Sequence, residues 1–266
     1  MPASLRMNDA ERSRLDESGY VVREGVFSTA ECREMADAVE QLEKDLLAAK
    51  RHTKVVVGSY MFELQREIGS IVKWEPDHPD VVQGIEPFAH ISEPLNRWAH
   101  DPRLIEPSKD VVGEDDISLF TEKITMKRAH TGGTIVLHQD FPYWVPLTSC
   151  ADRIMTALVY LDDATTSNGC LEVAPGSHRT GRHRNKDVEG FGANEIDERD
   201  FDLARLTPVE AKAGTVIFFG AFLVHRSLPN RSGVQRRALL YSYQPAGYPT
   251  ALALNRFLKK REEQRA

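Results

Sequence analysis

The chain has 266 residues, of which 41% are hydrophobic and 28% charged, the balance of a soluble globular protein and not of a disordered or membrane-spanning one. Its net charge of −6 supplies no basic field for nucleic acid or an anionic membrane. Cys32, Cys150 and Cys170 are odd in number and widely spaced, which argues against a disulfide framework or a zinc knuckle and for a reducing compartment. With no apolar signal region in residues 1–10, cytoplasm is the expected location. No pattern bears on oligomeric state.

In chain order, Gly19-Tyr20-Val21-Val22 predicts a short strand that ends in a turn at Glu24-Gly25. Ser28-Thr29-Ala30-Glu31 is a capping box. Beyond it Met35, Val39, Leu42, Leu46 and Leu47 recur at helical steps, giving a helix with one apolar face. A second helix is predicted over 89–100, where Ile91, Leu95 and Trp98 share a face and Asp101-Pro102 ends the run.

From about Ile117 the texture changes to short strands separated by Gly, Pro and Asn. The candidates are 118–126, 133–137, 154–161, 170–173, 216–219, 222–224 and 237–243. Many short strands with turns between them predict a sandwich or barrel and not a βαβ fold. The expectation is therefore one domain over 1–266, mainly β with flanking helices. In it a mostly helical part, 1–116, packs on a β core, 117–245. Residues 179–210 form a long charged interruption containing Phe191 and Phe201, read either as a lid or as a plain surface loop. The basic tail Lys259-Lys260-Arg261 reads as the solvated face of a terminal helix.

Two imidazoles and a carboxylate can hold divalent iron on one face and leave the other open. His138-Gln139-Asp140 follows the β-branched run Thr134-Ile135-Val136-Leu137. If the strand continues through it, His138 and Asp140 point to one side and Gln139 to the other. His78-Pro79-Asp80 has the same spacing but sits in a polar, Pro-rich stretch that reads as an exposed turn. A second imidazole must come from another strand. His225 ends Ala221-Phe222-Leu223-Val224 and reads either as that ligand or as a satisfied strand-end histidine. Arg236 lies eleven positions further on, after the turn Pro229-Asn230-Arg231-Ser232-Gly233. Its planar fork can hold a carboxylate with two charge-assisted bonds. Arg226, Arg231 and Arg237 compete for that role. Period two puts Arg236 with the small Ala238 and Ser242, and Arg237 with Leu239, Tyr241 and Tyr243.

Together these residues resemble the phytanoyl-CoA dioxygenase family of Fe(II)/2-oxoglutarate-dependent oxygenases, over nearly the whole chain. Gly19-Tyr20-Val21-Val22 with the Ser28 helix is similar to the family's N-terminal opening, and Leu137-His138-Gln139-Asp140 to its proximal metal motif. The run Asn168-Gly169-Cys170-Leu171-Glu172-Val173-Ala174-Pro175-Gly176-Ser177-His178 resembles its central strand and Pro-Gly-Ser-His turn. His225, Ser227, Asn230 and Arg236 resemble the distal histidine and co-substrate arginine.

The resemblance implies a double-stranded β-helix, a cupin-like jelly roll, with helices on one side. It implies Fe(II) on His138, Asp140 and His225, with 2-oxoglutarate and O2. The far carboxylate of 2-oxoglutarate would lie on Arg236 and Ser227, with Thr125 or Lys123 contributing. The implied reaction is hydroxylation of a small molecule (an amino acid derivative, compatible solute or natural-product intermediate), releasing succinate and CO2. Halogenating relatives carry Gly or Ala in place of Asp140, so the carboxylate favours hydroxylation over chlorination. Phe141, Tyr143 and Trp144 either line a substrate pocket or are ordinary core aromatics. The competing reading, a catalytically inactive jelly-roll small-molecule-binding protein, leaves the open metal set and Arg236 without a purpose.

Overall fold

Residue alternation along β8 (Met155–Tyr160) and β11 (Val216–Gly220) explains the layering of this protein. The structure is a computed structural model that describes residues 5–186 and 194–252; Phe191 and the basic tail lie outside the described residues. In β8, Met155, Ala157 and Val159 point to one core, while Leu158 and Tyr160 point to another. Val216 and Phe218 against Ile217 and Phe219 do the same in β11. A strand buried on both faces needs this near-continuous apolar run.

The first core lies under helices α1 (Asp9–Ser18), α2 (Thr29–Ala48), α3 (Glu93–Asn96) and α4 (Pro102–Val112). The capping box forms as predicted: Glu31 N–H donates to Ser28 Oγ at 3.3 Å and Ser28 N–H to Glu31 Oε2 at 2.8 Å. The face of α2 that is buried carries Cys32, Met35, Val39, Leu42 and Leu46. The second core lies between two antiparallel sheets.

The larger sheet has nine strands among the described residues, in the order β1 (Tyr20–Arg23), β11, β8, β13 (Arg236–Pro245), β6 (Ile117–Lys127), β5 (His78–Glu86), β4 (Ser70–Glu75), β3 (Tyr60–Gln65) and β2 (Lys54–Val57). The smaller has β10 (Thr207–Val209), β9 (Leu171–Val173), β12 (His225–Ser227) and β7 (Ile135–His138). Two facing antiparallel sheets with helices on one outer side make the expected jelly roll. No helix among the described residues is long and apolar enough to cross a membrane.

Three expectations about elements need correction. The part read as mostly helical contains β2 to β5, which extend the larger sheet by four strands. Their charged positions, such as Lys54, Glu63 and Lys73, break the apolar alternation that marks a strand, although Gly58 and Gly69 adopt the positive φ of tight turns between them. The helix over 89–100 is split into α3 and a 3-10 turn at Arg97–His100. Residues 222–224 are not a strand: Leu223 N–H closes a turn onto Gly220 O, and the strand begins at His225.

Candidate active site

The ends of two paired strands bring the histidines together. His225, first in β12, is in register with His138, last in β7. Directly opposed residues of an antiparallel pair share a face, and the two rings stand 4.2 Å apart between centroids. His138 Nδ1 is 2.8 Å from Val136 O and His225 Nδ1 is 2.9 Å from Leu223 O. A carbonyl can only accept, so each Nδ1 carries the proton and each Nε2 offers its lone pair.

The carboxylate arrives differently from the expectation. Strand β7 stops at His138, and Asp140 sits in helical conformation just before the short helix α5 (Phe141–Trp144). Period two therefore does not place it; a turn does. Gln139 fixes that turn. Its amide donates to Gly181 O at 2.9 Å and Phe222 O at 2.7 Å, and its oxygen accepts from His183 N–H at 2.9 Å. It is 0% exposed.

Asp140 Oδ1 lies 3.6 Å from His138 Nε2. One ligand atom from each of His138, Asp140 and His225 falls within 4.8 Å of the others, the one such group of three found among the described residues. Burial and the adjacent His138 push the His225 imidazolium down to about 4. Burial alone would raise Asp140, but the two imidazoles and Lys123 hold its carboxyl well below the usual range. Neutral imidazoles beside an ionised carboxylate are the donor set a divalent metal takes.

Two positions along the same strand from His225, Ser227 faces the same way. Its hydroxyl is buried with no partner, and so is Arg236 Nε. Ser227 is 2% and Arg236 3% exposed. The remaining guanidinium nitrogens are spoken for: Nη1 donates to Thr125 Oγ1 at 3.2 Å and Nη2 to Gly169 O at 2.7 Å. Each buried donor left unmade costs about 1–3 kcal/mol. A carboxylate is the group that would satisfy both, so these residues fit the far end of a dicarboxylate co-substrate.

The other arginines are occupied elsewhere. Arg237 pairs with Asp162 at 2.7 Å and Glu40 at 3.1 Å, and Arg226 with Glu172 at 2.7 Å. Arg231 is exposed.

These groups open into one cavity of about 450 Å³. Lys123, Tyr143 and Trp144 line it. Lys123 Nζ lies 3.4 Å from Glu86 Oε2, and the Tyr143 ring meets the His138 ring edge-on at 5.8 Å. Phe141 does not line it; it stacks on Phe222 at 4.3 Å, away from the cavity. Sequence reasoning missed Tyr60, Lys73 and Glu86, which β3 to β5 place in the wall. The alternation Tyr60-x-Phe62-x-Leu64 is a signal for Tyr60; no comparable pattern marks Lys73 or Glu86.

His78 begins β5, exposed and remote from any ligand cluster among the described residues. The segment 179–210 packs, where described, along the edge of β7. Ile196 N–H donates to Leu137 O at 2.9 Å, and Phe201 is buried beside Leu137 and Val224.

Comparison with known proteins agrees with this geometry. The family described as phytanoyl-CoA dioxygenase (PhyH) matches residues 15–238. Phytanoyl-CoA dioxygenase 1 of Oryza sativa subsp. japonica is 27% identical, with 90% of this chain and 89% of that protein covered. A probable alpha-ketoglutarate-dependent hypophosphite dioxygenase of Stutzerimonas stutzeri is 26% identical over 90% of this chain and 78% of its own. The fold is also that of crystalline EctD from S. alaskensis with 2-oxoglutarate and 5-hydroxyectoine. That match has a TM-score of 0.72 at 22% identity, covering 94% of this chain and 80% of that one. The chain belongs to the phytanoyl-CoA dioxygenase family and is an Fe(II)- and 2-oxoglutarate-dependent dioxygenase.

Proposed function

We propose that this enzyme hydroxylates a small molecule, an amino acid derivative, compatible solute or natural-product intermediate, with release of succinate and CO2. Relatives support the breadth of that class: an L-proline trans-4-hydroxylase of Streptomyces griseoviridis is 32% identical over 53% of this chain, and an ectoine dioxygenase of Bordetella bronchiseptica is 24% identical over 86%. The observation that carries the reading is the pair of orphaned buried donors, Ser227 Oγ and Arg236 Nε, beside the His138, Asp140 and His225 cluster. A protein that only bound a ligand through its apolar wall would gain nothing from them.

In this reading His138, Asp140 and His225 hold the iron. Arg236 and Ser227 bind the far carboxylate, Thr125 holds the guanidinium in line, and Lys123 adds positive charge at the cavity wall. Iron and 2-oxoglutarate together supply the oxidising chemistry with O2. The chain's own part is to keep both Nε2 atoms unprotonated and the site shielded from water. Tyr143 and Trp144 then contact the substrate, whereas Phe141 supports α5 from behind. The three cysteines are all buried and free, which supports a reducing, cytoplasmic setting. A single catalytic domain over the whole chain accords with one cavity drawing on β2 through β13.

Anaerobic titration with Fe(II) and 2-oxoglutarate tests this. A charge-transfer band at ~500 nm is expected, followed in air by succinate formation that a hydroxylated substrate accompanies. Absence of both band and succinate would favour the inactive binding protein.

A further inference from the structure

Lys73 has no role in the reaction just described, yet it lines the cavity. It stands on β4 in register with Phe62 of β3 and Gly84 of β5. The surrounding wall is apolar: Val55, Val57, Phe62, Leu64 and Ile71 all line the same space. A leucine or methionine would fill such a position without loss, whereas an ammonium there gives up part of its hydration.

Among the described residues no carboxylate stands at ion-pair distance from Lys73. Its Nζ lies 5.3 Å from the Tyr60 ring centroid and 5.7 Å from that of Phe62, and Glu86 and Asp140 attract it from further off. Cation–π contacts of this length offset only about 0.5–1 kcal/mol. Burial, reinforced by Lys123 and only partly offset by Glu86 and Asp140, pushes the ammonium down to about 8. The lysine is held at a net cost.

Charge balance in the loaded cavity says what would repay that cost, and this step rests on the function proposed above. Ferrous iron and Arg236 bring three positive charges, which Asp140 and the two carboxylates of 2-oxoglutarate cancel. Lys123 is cancelled by Glu86 at 3.4 Å, and Arg226 by Glu172 at 2.7 Å. One positive charge is left over, on Lys73. We infer that the substrate is a carboxylate with an apolar body, its anionic end bound by Lys73 and its hydrocarbon against the wall made by β2 to β4. A second acidic group on the substrate would be repelled by Glu86, and a cationic end by Lys73.

The test uses the full-length enzyme, anaerobic, with Fe(II) and 2-oxoglutarate bound so that the Arg236 site is already filled. Hexanoate, octanoate, decanoate and phenylacetate are each titrated against the matching primary amide, reading the shift of the metal-to-keto-acid band. At least one acid should bind ~10-fold or more tightly than its amide. In Lys73→Met that preference should shrink to within ~3-fold, and in Lys73→Arg it should persist. If no acid outbinds its amide, or if Lys73→Met weakens acid and amide alike, the inference falls. Should Lys73→Met fail to fold, loss of the acid preference in Lys73→Arg alone, or its absence in the parent enzyme, overturns it equally. A parent enzyme that forms no band with Fe(II) and 2-oxoglutarate would instead sink the underlying functional reading.

Discussion

The floor of the cavity and its outer wall are built on opposite principles. On the floor both histidines and the arginine are tied to backbone: His138 to Val136 O, His225 to Leu223 O, Arg236 to Gly169 O. The strands that carry them, β7, β12 and β13, belong to the two facing sheets of the jelly roll. In the outer wall, Lys73 rests against rings and Val55 and Val56 are half or more exposed. The contrast teaches that the metal-ligand set is firmly held, while the outer wall of the cavity is left on an appended set of strands. Such a wall can vary without disturbing the metal site.

The comparison can be broken most directly at the floor. Replacing His138, Asp140 or His225 by Ala should lower succinate formation by ~10³-fold or more, since an open site with two ligands holds iron weakly. Retained turnover in any of the three would show that the cluster is not the metal site. Arg236→Ala should raise the 2-oxoglutarate requirement by ~100-fold, the range for losing a buried charge-assisted pair. In Arg237→Ala the requirement should hold steady while the melting temperature falls, because Arg237 serves Asp162 and Glu40. The reverse result would exchange the two faces of β13.

Gln139→Ala sharpens the distinction between holding and touching. It strips partners from Gly181 O, Phe222 O and His183 N–H, so iron affinity should drop by ~10–100-fold. Isothermal titration with Mn(II) would register this separately from turnover.

A smaller effect comes from the helix-facing side of β6. Glu122 accepts from Phe88 N–H at 2.9 Å and Ala89 N–H at 2.6 Å, yet burial outweighs those donors and pushes its carboxyl up from 4.5 to about 7. The folded state therefore holds a proton that the unfolded chain releases. Its contribution is complete below pH 4.5 and disappears as pH climbs through about 7, a swing on the order of 3 kcal/mol. Thermal melts across that range should slope downward, and Glu122→Gln should flatten them. Least of all, His78→Ala in the exposed outer region should leave turnover intact and stability within about 0.5 kcal/mol.

Much of the floor could be read from sequence because its geometry is local. The β-branched residues before His138 and the apolar run before His225 announce strands, and Arg236 follows after a turn rich in Pro, Asn and Gly. Asp140 was harder. Its position depends on Gln139 clasping Phe222 and Gly181, contacts far apart in the chain. Phe141 likewise is placed by a residue far away in the chain, the Phe222 ring on which it stacks. The outer wall was illegible for another reason: the face of β2 to β5 turned from the cavity mixes buried Val72, Trp74 and Val82 with buried Glu63 and Gln65, while Lys73 and Glu86 interrupt the apolar face that lines it. Polar residues on both faces obscure the alternation a buried sheet displays.

His225 and Ser227 occupy opposite ends of a three-residue strand, with regular pairing to β9 on one flank. Two residues of extended chain span about 6.6 Å, and neither end can shift without breaking the ladder. If Ser227 takes the far carboxylate as proposed, that spacing would act as a ruler: a keto diacid one methylene shorter would fall short of the hydroxyl, and discrimination among keto acids would then be a matter of backbone pitch.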